Sequence, residues 1–170
     1  MPRVSPWLAV RVLIFLLVIP GSVMFYVPGY LLLRSGTSWV PDFTSPAVLF
    51  LLPGIAGLAI VLACVRDFAV HGQGTPAPVD PPKMLVVKGL YRYTRNPMYT
   101  GVITVLLSEA GFFGSVTLLV YALIALGCFH AFVVLHEEPH LRQIFGASYE
   151  EYCMGIPRWG MVRGTRAGET

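Results

Sequence analysis

Charge is scarce in this chain and very unevenly spread. Nine acidic and twelve basic side chains make up only 12% of the 170 residues. Four stretches, 12–33, 43–65, 96–108 and 110–136, carry none at all; they are 22, 23, 13 and 27 residues long and together make half of the sequence. All the charge therefore falls in the other half, at about 25%, which is ordinary for a water-exposed surface. That partition excludes a soluble globule. A basic stripe is also missing: the net charge of +3 and the pI of 8.9 come from scattered residues, which excludes nucleic-acid binding as their meaning. Cysteine is sparse, and Cys64, Cys128 and Cys153 have neither metal-ligand spacing nor the look of a disulfide framework. They read as small buried hydrophobes. What is abundant is apolar: 55% of the residues are hydrophobic and the mean hydropathy is +0.68. This is the composition of an integral membrane protein, since a spanning helix needs roughly 20 apolar residues.

Arg3 and Arg11 ahead of residues 12–19 outline a signal peptide, but a small-x-small cleavage site is absent and apolar character continues to Leu33. The segment reads as a retained first helix, bent at Pro20-Gly21 and ending near Pro28-Gly29 or Leu33. A second span covers 47–65, entered through Pro46 and carrying Pro53-Gly54. The third uncharged stretch is short, its apolar part 98–107 covering about 15 Å at 1.5 Å per residue. Extension through Glu109 to Phe113 brings it close to spanning, Gly111-Phe112-Phe113-Gly114-Ser115 reads as a tight turn, and 116–135 is a full-length helix. The pair is a helical hairpin with one short arm. Glu109 is expected near the far tip, solvated by water or headgroups, with a functional intramembrane carboxylate as the sharper alternative. Basic residues set the orientation. Arg34 stands alone between the first two spans, whereas Arg66, Lys83, Lys88, Arg92 and Arg95 lie in 66–96 and Arg142, Arg158, Arg163 and Arg166 in the C-terminal part. Both termini and 66–96 are expected to face the cytoplasm.

Apart from a short loop and the termini, the polar residues form two blocks, 66–101 and 136–160, each flanking one arm of the hairpin at the same surface. They are expected to meet. The first opens with His71-Gly72-Gln73-Gly74-Thr75 and then Pro76, Pro78, Pro81 and Pro82, too proline-rich for helix and best read as an extended strap. Three tyrosines and two arginines follow between Tyr91 and Tyr99, just before a helix whose first turn accepts Pro97. Interface anchoring is the plain alternative for those residues. The second block begins His136-Glu137-Glu138-Pro139-His140-Leu141. Adjacent glutamates on a helix point about 100° apart, so Glu137 and Glu138 do not share one proton. Two carboxylates at the end of a span need solvent or cations, and Arg92, Arg95 or a cationic ligand could supply them. Leu141, Phe145, Tyr149 and Tyr152 form an apolar stripe, read as an amphipathic helix on the membrane surface covering the base of the bundle. Ser148-x-x-Glu151 has the form of a capping box starting a last short helix. His130 is expected to be a hydrogen-bonded interior residue, and His136 with His140 lacks further ligands for a metal site.

Gly89-Leu90-Tyr91-Arg92-Tyr93-Thr94-Arg95-Asn96-Pro97-Met98-Tyr99-Thr100-Gly101, followed by a hairpin and then Glu137-Glu138-Pro139-His140-Leu141 through Phe145-Gly146, Tyr149 and Tyr152 to Ile156-Pro157-Arg158, resembles the isoprenylcysteine carboxyl methyltransferase and phospholipid methyltransferase superfamily. The resemblance covers about residues 72–158. It implies an all-α integral membrane protein of about four transmembrane helices, the last two a hairpin, with a C-terminal cytoplasmic amphipathic helix. It also implies S-adenosylmethionine (SAM) as cofactor, bound at the cytoplasmic base of the hairpin, with a lipophilic small molecule or lipid entering from the bilayer as methyl acceptor. Carried over by residue, Tyr91, Arg95, Asn96, Tyr99, Gly101, Glu137 and Glu138 would line the cofactor pocket, Arg95 and Glu138 being the candidate catalytic pair. Gly72-x-Gly74 resembles a further glycine element of the phospholipid branch. Asn96 replaces the usual histidine of the first motif, so a hydrogen bond survives there and an ionisable ring does not.

The whole chain, 1–170, then reads as one membrane methyltransferase domain. Residues 1–65 form two scaffold helices, 66–98 a cytoplasmic cofactor-binding strap, 99–136 the hairpin, 137–160 a cytoplasmic cofactor-binding tail and 161–170 a flexible tail. SAM carries its own electrophile, so positioning and exclusion of water are the protein's main tasks. Tyrosine faces attract a sulfonium, Arg95 suits a carboxylate, and Glu137 or Glu138 suits an amino group or ribose hydroxyls. The motifs look closer to the isoprenylcysteine-type carboxyl O-methylating branch than to phospholipid N-methylation, with thiol methylation third. An amine or thiol acceptor would need a base, for which Glu138 is the first candidate. The rival from another class is a non-enzymatic membrane carrier or assembly protein. Polar residues through the spans would mark a transport path, and the uncharged stretches hold almost none. A bacterial inner membrane is the expected location.

Overall fold

The computed structural model describes residues 6–36, 45–72 and 85–161. Most of the proline strap, the Gly74 part of the Gly72-x-Gly74 element, the loop between the first two spans and the tail beyond residue 161 lie outside the described residues. The described residues are all-helical.

The first span is α1 (Pro6–Gly21), a π-helical turn over Ser22–Tyr26, and α2 (Val27–Ser35). Pro20 has no N–H to give its helix, and the irregular turn begins two residues after it. The Tyr121 hydroxyl donates to the carbonyl of Val23 inside that turn at 3.1 Å. Left-handed Gly36 (φ 67°) ends α2, just beyond the expected end at Leu33. The second span is a 3₁₀ turn at Pro46–Phe50, whose first turn Ser45 caps through Ala47 N–H, followed by α3 (Leu51–Asp67) and a π-helical turn to Gly72.

The hairpin is α4 (Pro97–Phe112), a turn closed by Gly114 (φ 57°), and α5 (Val116–Phe132), which runs through a π-helical turn at Val133–Glu137 into α6 (Glu138–Phe145). Among the described residues, three continuous helices, Val10–Ser35, Pro46–Val70 and Val116–Phe145, are long and apolar enough to cross a bilayer. Their outward faces carry Leu13, Ile14, Leu52, Ile55, Leu123 and Ile124, all more than half exposed in the isolated chain. At about 24 Å, α4 is shorter than the roughly 30 Å hydrocarbon core. It is held between α3 and α5 and buries Gly101, Val102, Val105, Leu106 and Ala110.

Glycines let α3 and α4 cross closely. A Cβ on Gly101 would stand 2.8 Å from the Gly57 carbonyl, and one on Gly57 would stand 2.7 Å from the Gly101 carbonyl. The core beneath that crossing gathers Met24, Val61, Val105, Leu106, Ala122 and Ala125.

Three expectations change. Glu109 is on the penultimate turn of α4 near the tip, but its Oε2 is buried and has no hydrogen-bond partner among the described residues. The capping box does not form, because α7 (Ala147–Gly155) already begins before Ser148. Its first turn is closed on the carbonyl of Gly146 by the N–H groups of Tyr149 and Glu150 at 3.1 and 3.2 Å. Gly146 (φ 51°) also breaks the apolar stripe into two short helices. Leu141 and Phe145 of α6 therefore pack with Tyr149, Tyr152 and Ile156 as a cluster of their own.

Candidate active site

The two polar blocks meet at the base of the hairpin. Gly89 (φ 58°) opens a 3₁₀ turn, Gly89–Arg92, where a side chain would collide with the Asp67 carboxylate at the end of α3. The turn buries Tyr91, its ring edge-on to Phe68 with centroids 5.4 Å apart and its carbonyl accepting from the Tyr152 hydroxyl at 2.7 Å. Beyond it, three consecutive residues are stitched to the chain after α7. Arg95 N–H donates to the Pro157 carbonyl at 2.9 Å, and Asn96 Nδ2 and Thr94 Oγ1 donate to the Arg158 carbonyl at 3.1 and 3.3 Å. Asn96 and Thr94 are buried, so these bonds satisfy groups that would otherwise be orphaned. Pro97, which needs no N–H partner, then starts α4.

Glu138 is the electrostatic centre. Its side chain is 3% exposed, and it accepts a two-pronged contact from Arg158, Nε at 2.6 Å and Nη2 at 2.9 Å. Arg95 Nη1 stands 3.1 Å away and Arg142 Nη2, one turn on, 3.7 Å away. Three guanidinium groups around one carboxylate favour its ionised form and fix its position. Arg95 itself is 12% exposed; its Nη1 also lies 2.8 Å from Cys153 Sγ, while its buried Nε has no hydrogen-bond partner among the described residues. Glu137 points elsewhere, as adjacency on a helix requires. Its Oε2 accepts from the Tyr99 hydroxyl at 2.9 Å, and the Tyr99 ring lies 4.9 Å from that of Phe129. The π-helical turn ending at Glu137 sets these directions, and such turns are frequent at functional sites.

Tyr91, Arg95, Asn96, Tyr99, Glu137 and Glu138 line one cavity of about 590 Å³. That falls within the roughly 300–1,000 Å³ of small-molecule sites. Gly101 does not belong to the lining; it is the contact glycine of the α3–α4 crossing, where a side chain is excluded by helix packing. Toward the bilayer the cavity continues between α1 and α5, with Phe15, Ile19, Val23, Phe129 and Phe132 on its walls. Burial pushes the phenols of Tyr91, Tyr149 and Tyr152 well above their ordinary range. They remain neutral hydroxyls at physiological pH.

Arg158 has no site role legible in the sequence. The available signal was Ile156-Pro157-Arg158 at the end of the motif block, but a partner twenty residues away has no spacing rule. Cys153 and Cys128 depart from the buried-hydrophobe reading, the first lying against Arg95 and the second exposed along the cavity mouth; Cys64 is buried as expected. His130 is hydrogen-bonded, but on the outer face of α5, where its Nδ1 accepts from Trp159 Nε1–H at 3.1 Å. Arg92 is exposed and takes no part in the cluster, leaving Arg95 as the one of the two expected cations that reaches Glu138.

A family model described as phospholipid methyltransferase matches residues 46–148. The chain belongs to the phospholipid methyltransferase family. Comparisons with curated proteins and with solved structures gave no match. Membership makes the protein a membrane methyltransferase and implies SAM as the methyl donor. The residues present fit that donor. A buried, unpaired guanidinium N–H suits a carboxylate, a second carboxyl group beside it suits an ammonium or hydroxyls, and aromatic faces suit a sulfonium. The matched span of the family ends before Arg158, so the segment that closes the site lies beyond it.

Proposed function

We propose that this phospholipid methyltransferase family member transfers a methyl group from SAM to the amine of a lipophilic acceptor at the base of its hairpin. The observation that carries this reading is the Arg95–Glu138–Arg158 cluster, with the unpaired Arg95 Nε in a cavity that is polar at one end and apolar at the other. SAM, when bound, supplies an activated methyl group. Arg95 binds its carboxylate, and Glu138 holds Arg95 in place. Glu137, oriented by Tyr99, accepts from its amino group or ribose. Tyr91, Tyr99 and Phe129 offer ring faces, and the cluster of Leu141, Phe145, Tyr149 and Tyr152 excludes water from below.

The charge arrangement favours an amine over a carboxylate acceptor. Arg142 and Arg158 are engaged by Glu138, and the open N–H of Arg95 is given to the carboxylate of SAM, so an acceptor carboxylate finds no further cation on the cavity wall and meets Glu137 instead. An ammonium meets ring faces and a nearby carboxylate charge, both of which favour a cation. This reverses the order drawn from the motifs alone, which put isoprenylcysteine-type carboxyl O-methylation first, and that resemblance keeps it as the second reading. In this proposal the base of the bundle, with Arg66, Lys88, Arg92 and Arg95, faces the cytoplasm from a bacterial inner membrane and Arg34 lies at the opposite face, a reading supported by the excess of basic residues at the base.

Label transfer tests the reading. Protein in proteoliposomes is given methyl-labelled SAM with either phosphatidylethanolamine or a prenylated cysteine as acceptor. Label in the amine lipid is the expected result. Label confined to the prenylcysteine ester would replace it with the carboxyl reading, and label in neither would leave a thiol acceptor, the third possibility.

A further inference from the structure

An amine acceptor reaches the site as an ammonium and must lose a proton before its lone pair can attack. The groups described so far are ill-suited to take it. Glu138 is held by three guanidinium groups, Glu137 already accepts from Tyr99, Arg95 is a cation, and Tyr91, Tyr149 and Tyr152 are neutral phenols. Asn96, where the motif usually has histidine, spends its amide on the Arg158 carbonyl and cannot titrate.

Two histidines line the same cavity. His136 and His140 are one turn apart on the helix that carries both glutamates, with rings nearly parallel at 11° and centroids 6.2 Å apart. Phe132, one turn before, lies 5.2 Å from His136. The row Phe132, His136, His140 forms the exposed edge of the cavity, and the neighbouring row Val133, Glu137, Leu141 forms its inner wall. His136 therefore stands where the apolar part of the cavity gives way to the polar floor, which is where the headgroup of a lipid with its tail between α1 and α5 would sit. His140 continues the row outward.

We infer that His136 is the group that takes the proton from the acceptor amine and that His140 passes it on to solvent, an inference that rests on the amine reading above. The ammonium N–H bond breaks with its electrons staying on nitrogen, and the proton goes to an imidazole nitrogen of His136. The neutral nitrogen forms the new N–CH₃ bond with its lone pair, and the electrons of the broken S–CH₃ bond of the sulfonium donor return to sulfur as a neutral thioether. Imidazole is suited to this exchange because it ordinarily titrates near neutral pH. The ionisable groups that line the cavity with His136 are Cys128, Glu137, Glu138 and His140 on its own continuous helix, Tyr99 from α4, Arg95 before it, Tyr91 from the 3₁₀ turn, and Tyr149 and Tyr152 from α7. The α1 residues on the opposite wall carry no charge.

The test uses full-length protein in phosphatidylcholine vesicles containing phosphatidylethanolamine, with SAM affinity measured separately by calorimetry. His136→Gln is expected to lower the methylation rate at pH 7 about 100-fold and leave the SAM Kd within about twofold, since the cofactor contacts lie on the inner wall. The deficit should shrink as the pH rises toward the lipid ammonium's own pKa. His136→Gly should regain rate with added imidazole, and His140→Gln should lose less than His136→Gln. A His136→Gln rate within about threefold of wild type, or a deficit equal at every pH and untouched by imidazole, overturns the proposal. Loss of SAM binding in that variant also overturns it, by assigning His136 to the cofactor. A wild-type protein that binds SAM but methylates no amine lipid defeats the amine reading itself, a different signature from failure of the histidine role.

Discussion

Truncating Arg158 to alanine isolates the ion pair that closes the site. The carbonyls of Pro157 and Arg158 still hold Arg95, Asn96 and Thr94 in the variant, so only the side-chain pair is lost. Two charge-assisted hydrogen bonds to a 3% exposed carboxylate disappear. At about 1.5–3 kcal/mol each, the upper bound is about 6 kcal/mol. Two features reduce it: the Arg158 side chain is 32% exposed, and Arg95 and Arg142 remain beside Glu138. A loss of about 2 kcal/mol follows, which corresponds to a fall in Tm of about 4–8 °C for a chain of this size. Circular dichroism melts in detergent read it directly. Glu138→Gln should be the more harmful single change, because it leaves three guanidinium groups facing one another, and the double variant should fall short of the sum by about 2 kcal/mol. An Arg158→Ala melt within about 1 °C of wild type, together with full additivity in the double variant, would refute the clamp.

Tyr99→Phe removes the hydroxyl that orients Glu137 and should weaken SAM binding about tenfold, read by calorimetry, while the melt moves little. Gly101→Ala puts a Cβ 2.8 Å from the Gly57 carbonyl and should destabilise the bundle by about 1–3 kcal/mol, visible as a lower Tm even though residue 101 lines no part of the cavity. Asn96→Ala deletes the donor to the Arg158 carbonyl and should cost about 1–2 kcal/mol. Asn96→Asp, which cannot donate when ionised, should not restore it. Tyr152→Phe, losing its bond to the Tyr91 carbonyl, should lower stability by about 1 kcal/mol in the same melts.

The parts of this architecture legible in the sequence are those governed by local rules. Absence of charge over 22 or more residues locates a span whatever surrounds it, and α1–α2, α3 and α5 lie along those stretches. The short 96–108 stretch likewise corresponds to an arm too short to match its partner. Two polar blocks flanking one hairpin had to lie side by side, and the bonds from Thr94, Arg95 and Asn96 to residues 157 and 158 realise that meeting. Features set by the direction of a side chain in the packed bundle were not legible. Gly101 sits in the same motif as Arg95, but four residues into a helix its face is turned to α3 rather than to the cavity. His130 and Cys153 depart from expectation for the same reason, His130 turning out of the bundle to Trp159 and Cys153 lying half-buried against Arg95. Arg158 could be quoted from the motif but given no task, since its partnership with Glu138 depends on how Gly146 breaks the helix and folds α7 back.

The central claim is that the base of the hairpin binds SAM through Arg95, positioned by Glu138. Calorimetric titration of the protein in lipid nanodiscs tests it without reference to any acceptor. Saturable binding at one site is the expected result, with a Kd between about 1 μM and 1 mM, the ordinary range for enzyme substrates. Arg95→Ala should weaken it at least about tenfold, whereas Arg34→Ala, at the other end of the bundle beside Tyr30, should not change it. Absence of saturable binding at millimolar SAM, or equal effects of the two substitutions, would contradict it.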